Sequence, residues 1–122
     1  MSDNVSPDLV DWFHAFAKRS VEQLAQLADE EHRSRFRQYV EESLPGHAQP
    51  GELSPEDFAL AVVALRDNER KWNQALMAAL TDADDLHRSG ATQECVEKLR
   101  AFAESCPWRR FAEVARRQAA AY

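Results

Sequence analysis

The stretch Gly90-Ala-Thr-Gln-Glu-Cys-Val-Glu-Lys-Leu-Arg-Ala-Phe-Ala-Glu-Ser-Cys-Pro-Trp108 decides the fold class. Turn residues open it, apolar residues recur at helical spacing through its middle, and a proline stops it. Thr92 is the expected N-cap, and Val96, Leu99, Phe102 and Ala103 the buried face of the helix it opens. Pro107 is expected to start a second helix with Phe111, Val114, Ala115 and Gln118 on one side. On that helix Arg109 with Arg116, and Arg110 with Arg117, repeat every seven residues. The expected product is a helical hairpin turning on Cys106-Pro107, with Trp108 packed into the corner.

Upstream, two more helix starts are written in the same code. Ser6-Pro7-Asp8 places an N-cap before a proline at the first helical position, and Asp8 and Asp11 follow where the helix dipole favours negative charge. Ser54-Pro55-Glu56-Asp57 repeats this arrangement. After the first start, Leu9, Phe13, Phe16, Leu24 and Leu27 keep helical spacing, and Asp29-Glu30-Glu31 predicts a kink or a new helix near residue 29. His32, Phe36, Tyr39, Val40 and Leu44 continue the pattern to Pro45-Gly46. Two Pro-Gly turns mark residues 45–53 as a loop between packed helices. The helix from Pro55 is predicted to run to about Ala79, with Phe58, Val62, Leu65, Trp72, Leu76 and Leu80 on one face and Arg66–Lys71 as a solvated charged turn.

These readings converge on an all-α protein, a single domain over residues 1–122 with four to six helices in a compact bundle. Only 3 glycines and 5 prolines interrupt the 122 residues, and no segment alternates as a strand. A chain of this length buries about two-thirds of its unfolded surface without staples. No long uncharged apolar run and no basic, apolar leader is present, so a cytoplasmic protein without membrane contact is expected. Cys95 and Cys106 would lie about 16 Å apart along one helix, too far to pair, and are expected as reduced thiols.

The C-terminal hairpin resembles a tetratricopeptide-type repeat through the spacing of Leu86, Gly90, Cys95, Leu99 and Pro107. The resemblance covers about one repeat, and the chain holds no upstream copy to stack on it. What it implies is a helical hairpin of a kind used to bind proteins.

Candidate chemistry divides into a few constellations. Asp11-x-x-His14 and Asp84-x-x-His87 each set a carboxylate and an imidazole on one helical face, and with Glu22 or Glu69 they suggest a di-metal bundle. Cys106-Pro107 resembles the short motif through which some regulatory proteins bind haem by thiolate. Against both stands the plain reading of capping carboxylates, surface histidines and a helix corner, so no cofactor and no metal are expected. His32 reads as a core histidine bonded to a neighbour and His47 as a solvated loop residue. No phosphate-binding loop, dinucleotide fingerprint or nucleophile elbow occurs, and no catalytic residues are assigned.

Net charge is −6, yet residues 98–122 are basic, carrying Lys98, Arg100, Arg109, Arg110, Arg116 and Arg117 against Glu104 and Glu113. The acidic remainder argues against nucleic-acid binding. The expected function is a non-catalytic protein-binding module of the toxin-immunity, adaptor or chaperone type, its partner another protein such as a basic toxin or effector. Glu30, Glu31, Asp82, Asp84 and Asp85 are the candidate contact residues. The alternatives are a metal- or haem-binding bundle and a structural homodimer subunit.

Overall fold

The computed structural model describes residues 7–49 and 51–122, and every regular element among them is an α-helix. In chain order these are α1 Pro7–Phe16, α2 Val21–Gln26, α3 Glu30–Ser43, α4 Pro55–Arg88, α5 Thr92–Ser105 and α6 Arg109–Ala121. The all-α class therefore holds. The expected cap at Ser6 and the turn at Pro50 lie outside the described residues. The chain divides into two units, Met1–Asn68 and Glu69–Tyr122, with α4 contributing to each.

The first unit is held by rings. Phe13 stacks on Tyr39 with centroids 4.2 Å apart, Phe16 tilts against Phe58 at 6.2 Å, and Phe36 meets Phe58 edge-on at 5.5 Å. Phe13, Leu24 and Tyr39 are fully enclosed. The apolar stripe of residues 9–27 is not one helix, because α1 stops at Phe16 and α2 begins at Val21. A capping box sets the second start: Ser20 Oγ accepts from the Gln23 amide at 3.2 Å, and Gln23 Oε1 accepts from the Ser20 amide at 3.1 Å. The predicted break near residue 29 is present and has its own cap, Asp29 Oδ1 accepting from the His32 amide at 2.9 Å. Gly46, at φ +80°, supplies the left-handed turn after α3 that other residues adopt at a cost. Arg33 ties down the loop that follows, donating from Nε to Ala28 O at 2.8 Å and from Nη1 to Leu53 O at 2.6 Å.

The second unit packs small residues. Ala83, Cys95, Leu99 and Ala119 form its centre, flanked by Leu80, Leu86, Val96 and Tyr122. Trp108 is fully buried at the α5–α6 corner, as its sequence context predicts, with Phe111 at 6.0 Å. Helix α4 runs past Ala79 to Arg88, since Ala83 gives the Asp82–Asp85 segment a buried position instead of a turn. Termination comes at Gly90, φ +89°: Ala91 N–H donates to Leu86 O at 2.8 Å and Gly90 N–H to His87 O at 3.1 Å, the two bonds of a Schellman motif. The cap of α5 is Ala91, not Thr92, whose hydroxyl is bonded to His87 Nδ1 at 3.1 Å. Helix α6 begins at Arg109 behind the Trp108 cap and buries Phe111, Ala112, Ala115 and Ala119, leaving Val114 and Gln118 exposed. The alanines at four-residue spacing define its inner face because they let helix backbones approach closely.

Candidate protein-interaction surface

Asp82, Asp84 and Asp85 lie in the last two turns of α4. Asp82 faces Lys98 of α5 at 3.6 Å, and Asp84 holds Arg88 on its own helix at 3.0 Å. In both pairs the side chains are substantially exposed, so each ion pair contributes little and leaves its carboxylate in water. Asp85 is exposed beside them. The peptide dipoles of a helix put partial negative charge at its C-terminal end, where carboxylates are unfavourable. Asp85 stands in the final turn of α4, against that field.

Glu30 and Glu31 are placed differently. Both are exposed in the first turn of α3, where the dipole favours them, and Glu31 approaches Arg35 at 3.8 Å. Helix stability alone explains their charge. The third member of that acidic run, Asp29, is a cap and also holds His32 Nδ1 at 2.7 Å. The backbone and side-chain hydrogen bonds from His32 hold the Asp29 carboxyl below its ordinary value of 3.8.

The remaining candidates resolve into structural contacts. His32 stacks on Phe16 with centroids 5.3 Å apart and an interplanar angle of 12°, which fixes its ring on the apolar stripe. His87 packs against Tyr122 at 4.7 Å besides its bond to Thr92. His14 lies beside Phe13 at 6.3 Å, and His47 is exposed in the loop. Cys95 and Cys106 are unpaired and buried, and burial pushes the Cys106 thiol up from its ordinary value while its S–H faces Trp108 O at 3.6 Å. Among the described residues no group of three or more His, Cys, Asp or Glu is placed to hold a metal ion. No helix among them is long and apolar enough to cross a membrane.

One polar residue read as solvated is buried. Glu69, inside the Arg66–Lys71 segment, is 1% exposed and its Oε2 accepts from Arg110 Nη2 at 2.7 Å. The Arg110 guanidinium also lies over the Phe111 ring at 4.8 Å. A signal for this was present: Val62, Glu69, Leu76 and Ala83 follow at seven-residue intervals along α4, and all four are buried. Sequence reading also passed over a cleft in the first unit, about 270 Å³, lined by Asp8, Leu9, Trp12, Arg35 and Gln38. A smaller hollow of about 50 Å³ lies among residues that include Arg33, Arg37 and Phe58.

No protein-family model, no curated protein and no solved structure matches the chain.

Proposed function

We propose that the protein is a non-catalytic binding module that docks a basic protein partner through exposed acidic helix surface, as toxin-immunity proteins and adaptors do. The observation that carries the reading is the acidic end of α4. Asp85 sits in the final helical turn, and Asp82 and Asp84 just before it, where the dipole offers no reward for negative charge. Their ion pairs are exposed and weak. A basic partner would give these carboxylates a role that the helix itself does not reward. Glu30 and Glu31 form a second, independent acidic patch with weaker support, because the N-terminus of α3 already favours them.

Native purification followed by mass spectrometry identifies the partner, and association kinetics test the surface. Charge reversal at Asp84 and Asp85 is expected to slow association, with a smaller effect at physiological salt than at low salt. The same pair of changes at Glu30 and Glu31 is expected to act less. Association rates unchanged in both double variants at low salt would remove acidic docking and leave the exposed apolar positions as candidates.

A further inference from the structure

We propose that the cleft lined by α1 and α3 takes one arginine or lysine side chain of the basic partner, its stem on the Trp12 indole and its charged head at the Asp8 carboxylate. The proposal rests on the basic-partner reading above and assigns it a specific pocket.

Size comes first. Ligand pockets begin at about 300 Å³, and this cleft holds about 270 Å³, room for one long side chain more than for a cofactor. Its aromatic wall is backed by further rings. Trp12 stacks on Phe16 with centroids 4.9 Å apart and 15° between planes, and Phe16 stacks in turn on His32. Such a backed ring is a ready platform for a cation, whose attraction to the electron-rich ring face gains strength as water is excluded.

The chain already shows what the ring accepts. The Arg35 guanidinium carbon lies 5.9 Å from the Trp12 ring centroid. That internal cation is held loosely: its one ion pair, to Glu31, is 3.8 Å long, and 52% of the Arg35 side chain is exposed. An incoming cation would displace it from Trp12 toward Glu31. Charge on the two helices that form it favours the same occupant, since Asp8, Asp11, Glu30, Glu31 and Glu41 are exposed there against the exposed Arg35 and Arg37. An anionic group would have Arg35 of the lining for it, and Asp8 with this excess of carboxylates against it.

The test is a titration of the ¹⁵N-labelled full chain with a capped tri-arginine peptide, following the Trp12 indole N–H resonance, assigned by its loss in Trp12→Phe. The indole resonance is expected to shift on titration. Asp8→Asn should weaken the peptide about three- to fivefold. Arg35→Gln should tighten it by about twofold or more, because an internal competitor and a like charge are removed. Circular dichroism melts show that each variant keeps its fold. The proposal is overturned by a silent Trp12 resonance, by Asp8→Asn binding equal to wild type, by Arg35→Gln weakening the peptide, or by a capped tri-glutamate peptide moving Trp12 more than tri-arginine does. The titration needs no partner protein, so its failure leaves the Asp84 and Asp85 kinetics standing, and failure of those kinetics leaves the titration interpretable.

Discussion

In residues 7–68 the core is made of large rings, Phe13 on Tyr39, Phe16 on His32 and Phe36 against Phe58, carried by α1, α2, α3 and the start of α4. In residues 69–122 it is made of alanine, cysteine and leucine, with the fully enclosed Trp108 ring and the buried Glu69 carboxylate bonded to Arg110. Side-chain caps at Ser20 and Asp29 open α2 and α3 in the ring core. Helix α5, by contrast, starts without any side-chain cap bond, as does α6. The difference is one between many small local devices and a continuous helix–helix interface.

The comparison is broken most directly at the largest contacts. Phe13→Ala is expected to cost about 3–5 kcal/mol, since it removes a fully buried ring from a stack. In the other unit, Arg110→Ala should destabilise by removing a cation bonded to the buried Glu69 carboxylate, whereas the double change Glu69→Leu with Arg110→Met should recover part of that loss. Denaturant melts of all three variants decide. A double variant as weak as Arg110→Ala would mean that the charges themselves, and not the imbalance, stabilise the unit.

Within the hairpin, Leu99→Ala should cost about 2–5 kcal/mol and Phe102→Ala less, because Leu99 is fully enclosed while Phe102 is half-buried, edge-on to Trp72 at 5.9 Å. Equal costs in denaturant melts would show that the second unit depends on rings as the first does.

Caps sharpen the contrast further. Ser20→Ala should cost about 1 kcal/mol in thermal or denaturant melts, and Thr92→Ala much less, since Thr92 caps nothing. Asp29 adds a pH signature. Its folded carboxyl titrates below the unfolded value of 3.8, so its stabilisation is complete above that value and disappears as pH falls through the folded one. Acid titration should therefore take more stability from wild type than from Asp29→Asn over that window, and parallel curves would deny the cap its role.

The smallest expected effect has the opposite sign. Asp85→Asn should stabilise the protein by about 0.3–1 kcal/mol by removing a carboxylate from the negative end of α4. Loss of stability in a thermal melt would show that Asp85 serves the fold and would weaken its case as a contact residue.

Helix class, the break near residue 29, the turns at Gly46 and Gly90 and the burial of Trp108 were all legible, because each is dictated by local chemistry: apolar period, carboxylate cap, glycine, ring size. The break at Ser20 was equally local, yet the unbroken apolar spacing from Leu9 to Leu27 masked the Ser20-x-x-Gln23 box. Glu69 was obscured for another reason. Charge in a polar segment reads as solvated until a partner forty-one positions away is known, and only the seven-residue spacing from Val62 to Ala83 marks it as inward. The α6 face shifted because alanine carries little hydropathy and competes poorly with valine in a sequence pattern, although its size suits close helix packing. The Asp8–Trp12–Arg35 cleft combines residues of two helices that lie more than twenty positions apart, so no local pattern announces it. Acidic positions were visible as residues. Which of them oppose their helix became visible only with the end of α4 at Arg88.

The two enclosed cysteines make the hairpin its own clock. A thiol shut away from water, and in Cys106 one further deterred from ionising, reacts with a disulfide reagent only while the surrounding helices part. Labelling rates at Cys95, inside the apolar centre, and at Cys106, beside Trp108, therefore time separate events: breathing of the α5 midsection and unlatching of the corner. The two thiols thus serve as built-in stopwatches for the hairpin's own motion.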